Sequence, residues 1–591
     1  MKGRFTFIII VIFILGFIIM ARLFELQVWG HNFLGTNIYQ KNILEQIIPA
    51  DRGEIFVFDE GELSPLAINY KTYNLIVSPN QISNSKMSLD QWWEKIVPYL
   101  DLEESQKILE QTWLIEENEE TDELKNILTK LSDKQRFYEV LKKDISLSEA
   151  EEIKNLGLPG ISFESITRRY YPEENLFSHV TGFFRSTADC QGIDCSFGEG
   201  QYGLEEFFNQ ELTGEPGLRK NQSGADFILT DNLIKEPEKG MDLILTLDRT
   251  VQFFAHQLLK EAVQEYKAES GEIIVMDPQT GEILTLCREP DFDPNKYSEI
   301  KDYAVFKNKA IDSVFEPGSI FKVITLAIGL DTKKISPETS YFDPGQITLS
   351  GETISNVEKR TFGRQTMTNV LEKSINTGAV FVAQKVGRDN FRNYLKKFGF
   401  GSLTQIEIPN EAIGDISNLN EKQEIYLATA SFGQGITVTP IQMINAVGVI
   451  ANQGRLMKPY LVKKSIQGGV EKEYQPQFIR EVISPGSASL LSAMMVSVCE
   501  NGYGGKAQVP GYYVAGKTGT AQVPKDKGGY SDKVIHSFIG FAPATNPRFV
   551  ALVKLDNPQK YKYADSTAAP VFGQLAEFIL DYYNVPPDKN D

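Results

Sequence analysis

At 591 residues the chain is long enough for about two to four domains and a sizeable core. Its formal net charge of −18 argues against nucleic acid as a partner, because nucleic-acid binding needs clustered cations. His31, His179, His256 and His536 are far apart with no metal-ligand spacing, and no nucleotide-binding loop is present, so no metal or other cofactor is expected.

In chain order, residues 5–21 form an apolar run of roughly 17 residues, at the lower limit for a membrane-spanning helix. Lys2 and Arg4 precede it and favour a cytoplasmic N-terminus. A cleaved signal peptide is the competing reading, but Met20-Ala21-Arg22-Leu23 is a poor cleavage site, so a retained anchor is favoured. No comparable run follows, and the remainder is expected to be extracytoplasmic. Residues 22–48 read as a partly helical stalk. Residues 88–156, rich in Glu, Lys and Leu at helical spacing, read as a helical subdomain whose acidic run 116–123 is a solvated face. Cys190 and Cys195 bracket a short loop outside the membrane, where a disulfide can persist, and whether they pair stays open. Residues 231–240 read as a linker. From Met241 onward, strand-like runs such as Ile273-Ile274-Val275-Met276 alternate with long helices, which predicts a sheet flanked by helices. Cys287 and Cys499 fall in such apolar segments and read as core residues.

Three motifs then stand in one order. Ser319-Ile320-Phe321-Lys322 follows Glu316-Pro317-Gly318 and opens a heavily apolar run, the signature of a helix N-terminus. Ser319 is therefore expected in a first helical turn, with Lys322 on the same face and within reach of its hydroxyl. A lysine buried near a second cation loses much of its preference for the charged form and can act as a general base. Lys517 is the natural second cation. Ser374-Ile375-Asn376 reads as a loop between helical segments, with Ser374 able to relay a proton and Asn376 able to hold a substrate amide. Lys517-Thr518-Gly519-Thr520 reads as an edge strand. There Gly519 admits a close ligand, Lys517, Thr518 and Thr520 bind a carboxylate, and the Thr520 N–H joins that of Ser319 in an oxyanion hole. With no histidine near the trio, lysine rather than histidine activates the nucleophile. S-x-x-K alone has little weight, since Ser83 to Lys86 and Ser298 to Lys301 match it too; order, spacing and context carry the specificity.

The trio matches the S-x-x-K, S-x-N and K-T-G set of penicillin-binding proteins and β-lactamases, with Ile375 in place of the acidic residue of S-D-N. Further stretches extend the likeness: Arg52-Gly53-Glu54-Ile55, Arg169-Tyr170-Tyr171-Pro172 with His179-Val180-Thr181-Gly182, and Gly203-Leu204-Glu205 with Leu212-Thr213-Gly214-Glu215-Pro216-Gly217. Leu245-Thr246-Leu247-Asp248, Asp277-Pro278-Gln279-Thr280-Gly281-Glu282 and Phe432-Gly433-Gln434-Gly435 continue it. From about Ala50 to the C-terminus, apart from a divergent insert, the chain resembles a class B penicillin-binding protein, a monofunctional D,D-transpeptidase.

The resemblance implies an α+β multidomain chain. A transmembrane anchor (residues 1–21) and stalk (22–48) lead to an elongated dimerisation-type pedestal (49–239, insert about 88–156). A transpeptidase domain (240–585) of the serine β-lactamase-like fold follows, an antiparallel sheet flanked by helices. It also implies the chemistry: Ser319 is acylated by a D-Ala-D-Ala stem peptide, D-Ala leaves, and a neighbouring stem-peptide amine takes the acyl group. β-Lactams would trap Ser319, and a membrane glycosyltransferase with other division proteins would be partners in septal synthesis. A D,D-carboxypeptidase or β-lactamase-type hydrolase, and a non-catalytic β-lactam-binding scaffold, are the alternatives.

Overall fold

The computed structural model describes residues 16–17, 19–20, 43–59, 61–100, 127–186, 198–223, 229–525 and 528–589. The expected anchor lies mostly outside these residues, as do most of the stalk and both Cys190 and Cys195. Among the described residues no helix is long and apolar enough to cross a membrane.

The chain divides into two units, the first made of residues 1–53, 210–241 and 467–469. Its centre is a three-stranded antiparallel sheet in which Gly217–Ser223 lies between Ile43–Ile48 and Leu229–Lys235. The end of the presumed stalk is thus a strand, and so is half of the presumed linker. Both short segments are recruited by the central strand, whose two edges each offer a row of unpaired backbone groups. Arg52 donates to Thr213 Oγ1 at 3.0 Å and Gly53 N–H to Leu212 O at 2.7 Å, so two sequence-distant stretches meet. A Cβ at Gly53 would collide with the Met241 carbonyl, which explains the glycine.

The second unit holds residues 54–209, 242–466 and 470–591. It begins with strands β1 (Ile55–Asp59) and β2 (Glu62–Val77), then helix α1 (Leu89–Ile96), which starts in a capping box formed by Ser88 and Gln91. Strand β3 (Glu139–Ile145), helix α2 (Leu147–Asn155) and strand β4 (Ile161–Tyr170) follow. The presumed helical subdomain is therefore mixed. β3 pairs with β2, and Trp92, Ile96 and Ile153 of the helices pack on Leu75 and Val77 of β2. Its Lys- and Glu-rich composition favours helix only weakly, and pairing along β2 overrides it. A buried polar chain joins three of the quoted stretches: Asn69 N–H donates to Glu54, Arg169 to Asn69 and Glu205, and the Tyr171 hydroxyl to Glu205. Strand β5 (Asp242–Asp248) lies parallel to β1.

Helix α3 (Arg249–Tyr266) leads into β6 (Ser270–Met276) and β7 (Ile283–Glu289). Helix α4 (Lys322–Asp331) follows, and then two small ribbons, Ser340–Asp343 with Gly363–Thr366 and Gln346–Leu349 with Glu352–Ser355. Helices α5 (Met367–Glu372), α6 (Asn376–Val386), α7 (Pro440–Ala451) and α8 (Pro485–Asn501) precede β8 (Ala515–Pro524), β9 (Tyr530–Ala542), β10 (Phe549–Asp556) and α9 (Ala568–Tyr582). Five strands form an antiparallel sheet in the order β7-β6-β10-β9-β8, so β8 is an edge. One face packs on α3 and α9 through Val251, Leu259, Phe572, Leu575 and Ile579. On the other lies α7, buried along its whole length, as an apolar helix without a polar face must be. The expected sheet covered on both faces is present.

One buried carboxylate organises the ribbons. Asp343 is fully buried and accepts from Asn356 Nδ2, the Gly345 and Phe362 N–H groups and the Thr377 hydroxyl at the start of α6. Replacing it by alanine leaves these donors unpaired in the interior; Asp343→Ala is expected to destabilise the region by about 3–5 kcal/mol, with faster hydrogen exchange along the ribbons and the first turn of α6. Cys287 and Cys499 are buried, and burial pushes the Cys499 thiol up to about 12. Neither should react with a thiol reagent in the native chain and both should in denaturant, as peptide mapping would show.

Candidate active site

The turn that carries Ser319 is made by its neighbours. Gly318 takes the left-handed region at φ +57°, and a Cβ there would sit 2.8 Å from Ala521 Cβ on β8. Residues Gly318–Phe321 form a 3-10 turn, and the α-helix proper starts at Lys322. The sequence points to an ordinary first α-turn; the tighter turn instead eclipses residues i and i+3, which stacks Lys322 on Ser319. Lys322 Nζ stands 3.0 Å from Ser319 Oγ.

Ser374 occupies the break between α5 and α6, with a left-handed φ of +52° that costs a non-glycine residue about 1–2 kcal/mol. The fully buried Ile375 anchors this break in the core. Lys322 Nζ donates to the Ser374 carbonyl at 2.7 Å and lies 3.1 Å from Ser374 Oγ. Asn376 opens α6, and its side-chain amide donates to Ser355 O of a ribbon at 2.9 Å. The next residue, Thr377, is the one held by Asp343. The ribbons therefore brace the α6 side of the Ser374 break.

Lys517 comes from the edge strand β8. Its Nζ donates to Ser374 Oγ at 3.1 Å and to the Thr518 carbonyl at 3.0 Å. The Ser374 hydroxyl thus lies between two lysine amines, and both lysines are fully buried. Burial pushes Lys322 well below the usual lysine range, and the neighbouring Lys517 pushes it further. Burial takes Lys517 down to about 7, with Cys499 opposing the shift. Gly519 faces the nucleophile turn: a Cβ there would lie 2.9 Å from Ile320 Cγ2 and 3.5 Å from Ile320 N. The Thr520 hydroxyl accepts from the Ala564 N–H at 3.2 Å.

The structure thus gathers Ser319, Lys322, Ser374 and Lys517 into one hydrogen-bonded cluster, with Asn376, Thr518, Gly519 and Thr520 on its walls. Sequence reasoning missed Asp343, Asn356 and Thr377, whose residue types and spacing are those of ordinary polar turns. It also missed that His256, Glu289 and Asp291 converge, their ligand-type atoms within 4.8 Å of one another. There His256 Nε2 and Asn175 Nδ2 already engage Asp291 Oδ2, at 2.8 and 2.6 Å.

Comparison with known proteins places these features in a family. Residues 271–577 match the penicillin-binding protein transpeptidase domain, and residues 47–245 the penicillin-binding protein dimerisation domain. Stage V sporulation protein D of Bacillus subtilis is 35% identical over 454 residues, 76% of this chain and 69% of that protein. The probable peptidoglycan D,D-transpeptidase PenA of Neisseria meningitidis is 30% identical over 596 residues, 100% of this chain and 94% of that one. Among solved structures, penicillin-binding protein 3 from Mycobacterium tuberculosis, complexed with aztreonam, superposes with a TM-score of 0.68 at 25% identity, covering 92% of this chain and 98% of that one. A shared two-domain match, full-length likeness and a common fold lead to one conclusion: the chain belongs to the class B penicillin-binding proteins, the peptidoglycan D,D-transpeptidases.

Proposed function

We propose that Ser319 is the nucleophile with which this D,D-transpeptidase cross-links peptidoglycan. The observation that carries the reading is the buried Lys322 amine 3.0 Å from Ser319 Oγ, its affinity for a proton lowered by burial and by Lys517. In the first half-reaction neutral Lys322 takes the Ser319 proton as Oγ attacks the penultimate D-Ala carbonyl of a donor stem peptide. The N–H groups of Ser319 and Thr520 hold the oxyanion. As the C–N bond breaks, Ser374 Oγ passes a proton to the departing D-Ala amine and is reprotonated by its lysine neighbours. Lys517 with Thr518 and Thr520 holds the donor's terminal carboxylate, and Asn376 its backbone amide. In the second half, an acceptor amine attacks the ester, its proton returns through the same relay, and Ser319 is released. β-Lactams offer the same carbonyl with a leaving group that stays tethered, and so acylate Ser319 durably.

The wider assignments follow the same reading. Residues 5–21 anchor the chain in the cell membrane with the N-terminus cytoplasmic, residues 49–239 serve as pedestal and residues 240–585 as extracytoplasmic transpeptidase. Relatives named for sporulation and, in Escherichia coli, FtsI support a role in septal wall synthesis. A membrane glycosyltransferase and division proteins are the partners this reading assigns. A Cys190–Cys195 disulfide suits that compartment.

Labelling of the full-length chain with a fluorescent penicillin is expected to give a long-lived adduct that Ser319→Ala abolishes; a label lost within seconds would mark a hydrolase instead, and none on folded protein a scaffold. Lys322→Ala should slow acylation about 10²–10⁴-fold. Lys517→Ala should weaken donor capture about 10–100-fold through the lost charge-assisted hydrogen bonds. The pH dependence follows from the two depressed lysines. Acylation should fall as acid protonates Lys322. Carboxylate capture by unliganded enzyme should weaken as pH rises through about 7, where Lys517 loses its proton. Stopped-flow acylation rates across pH would check both limbs.

A further inference from the structure

The F-G-Q-G stretch and Glu316 play no part in the proton transfers above, yet both touch the nucleophile's turn. Phe315 exchanges two backbone hydrogen bonds with Val438, at 2.9 and 3.0 Å, and Gly318 N–H donates to Gly433 O at 2.9 Å. Glu316, between these contacts, is 7% exposed. One of its carboxylate oxygens accepts from the Gly435 N–H at 2.9 Å and the other from the Tyr530 hydroxyl at 3.0 Å. Tyr530 is the first residue of β9 and pairs with Pro524 at the end of β8, the strand that carries Thr520. A single buried carboxylate therefore ties together the turn of Ser319, the loop Phe432-Gly433-Gln434-Gly435 and the β8–β9 hairpin. Burying a carboxylate is costly unless its lone pairs are engaged, and here the engaging donors come from two segments far apart in sequence.

The two N–H groups assigned to the oxyanion hole belong to different elements, Ser319 to the turn and Thr520 to the strand. Their spacing is set by whatever locks turn to hairpin. We propose that Glu316 is a positioning residue for acylation: with Gly435 and Tyr530 on its two oxygens, it holds the Ser319 turn and the Thr520 strand at the separation an oxyanion requires. The inference rests on the site reading given above. An oxyanion hole acts through placed donors, so loosening it slows bond formation and leaves the preceding non-covalent complex unchanged.

The test measures, on the full-length chain in detergent, the limiting acylation rate constant and the dissociation constant of the preceding complex with a penicillin. Tyr530→Phe should lower the limiting rate about 3–10-fold with the dissociation constant within about twofold of wild type. Glu316→Ala should lower the rate about 30-fold or more, and Glu316→Gln should stay within about threefold, because its amide offers an acceptor to Gly435 and a donor to the Tyr530 oxygen. Wild-type acylation by Tyr530→Phe and Glu316→Ala would overturn the proposal. So would Glu316→Gln as slow as Glu316→Ala, or a loss confined to the dissociation constant. If Glu316→Ala does not fold, Tyr530→Phe, which deletes one hydroxyl at a partly exposed residue, decides alone. Ser319→Ala run in parallel separates the two readings. Labelling that persists there refutes the nucleophile, whereas its loss beside unaltered Tyr530→Phe and Glu316→Ala refutes the positioning role by itself.

Discussion

Two lysine amines buried around one serine hydroxyl are the constraint on which the rest of this site depends. A lysine out of water gives up its proton far more readily than one in solvent, and a second amine nearby adds to the effect. Lys322 and Lys517 are both fully buried, and both approach Ser374 Oγ at 3.1 Å. The fold must therefore exclude water from this spot while leaving Ser319 and Asn376 only partly covered. It does so by drawing the lysines from a helix and an edge strand on opposite sides, and by closing the gap with Ser374.

That closure needs support, because Ser374 sits in a left-handed conformation that its local chain does not favour. The Asp343 network supplies it from one side. A carboxylate with no exposure is tolerable there because the Asn356 amide, two backbone N–H groups and the Thr377 hydroxyl engage it. Glu316 does the corresponding work on the other side of the cleft, between the nucleophile's turn and the β8–β9 hairpin. The site is thus held by two buried carboxylates, neither of which takes part in the proton transfers assigned to it.

The edge position of β8 has a separate consequence. Among the described residues its outer edge has no strand partner, so an extended peptide can pair along it, and Gly519 lets the strand sit close against Ser537 and Ile320. A strand in the middle of the sheet offers no such surface.

What the sequence determined by itself is the local chemistry. Glu316-Pro317-Gly318 before an apolar run announces a turn and a buried helix, S-x-x-K places a lysine one turn from a serine, and K-T-G reads as a strand edge. Alternating apolar runs after Met241 announce a sheet flanked by helices. Those signals lie within a few residues of one another and survive without knowledge of the fold. Misread segments are those where local preference is weak: Glu139–Ile145 and Leu229–Lys235 became strands because a neighbouring strand offered an unpaired edge. Only the tertiary structure decided that Lys517 stands beside Ser374, 143 positions away in sequence, that Asp343 braces Thr377, and that Glu316 meets Tyr530. A buried charge is tolerated wherever packing happens to assemble its partners, and packing joins residues that no spacing along the chain connects.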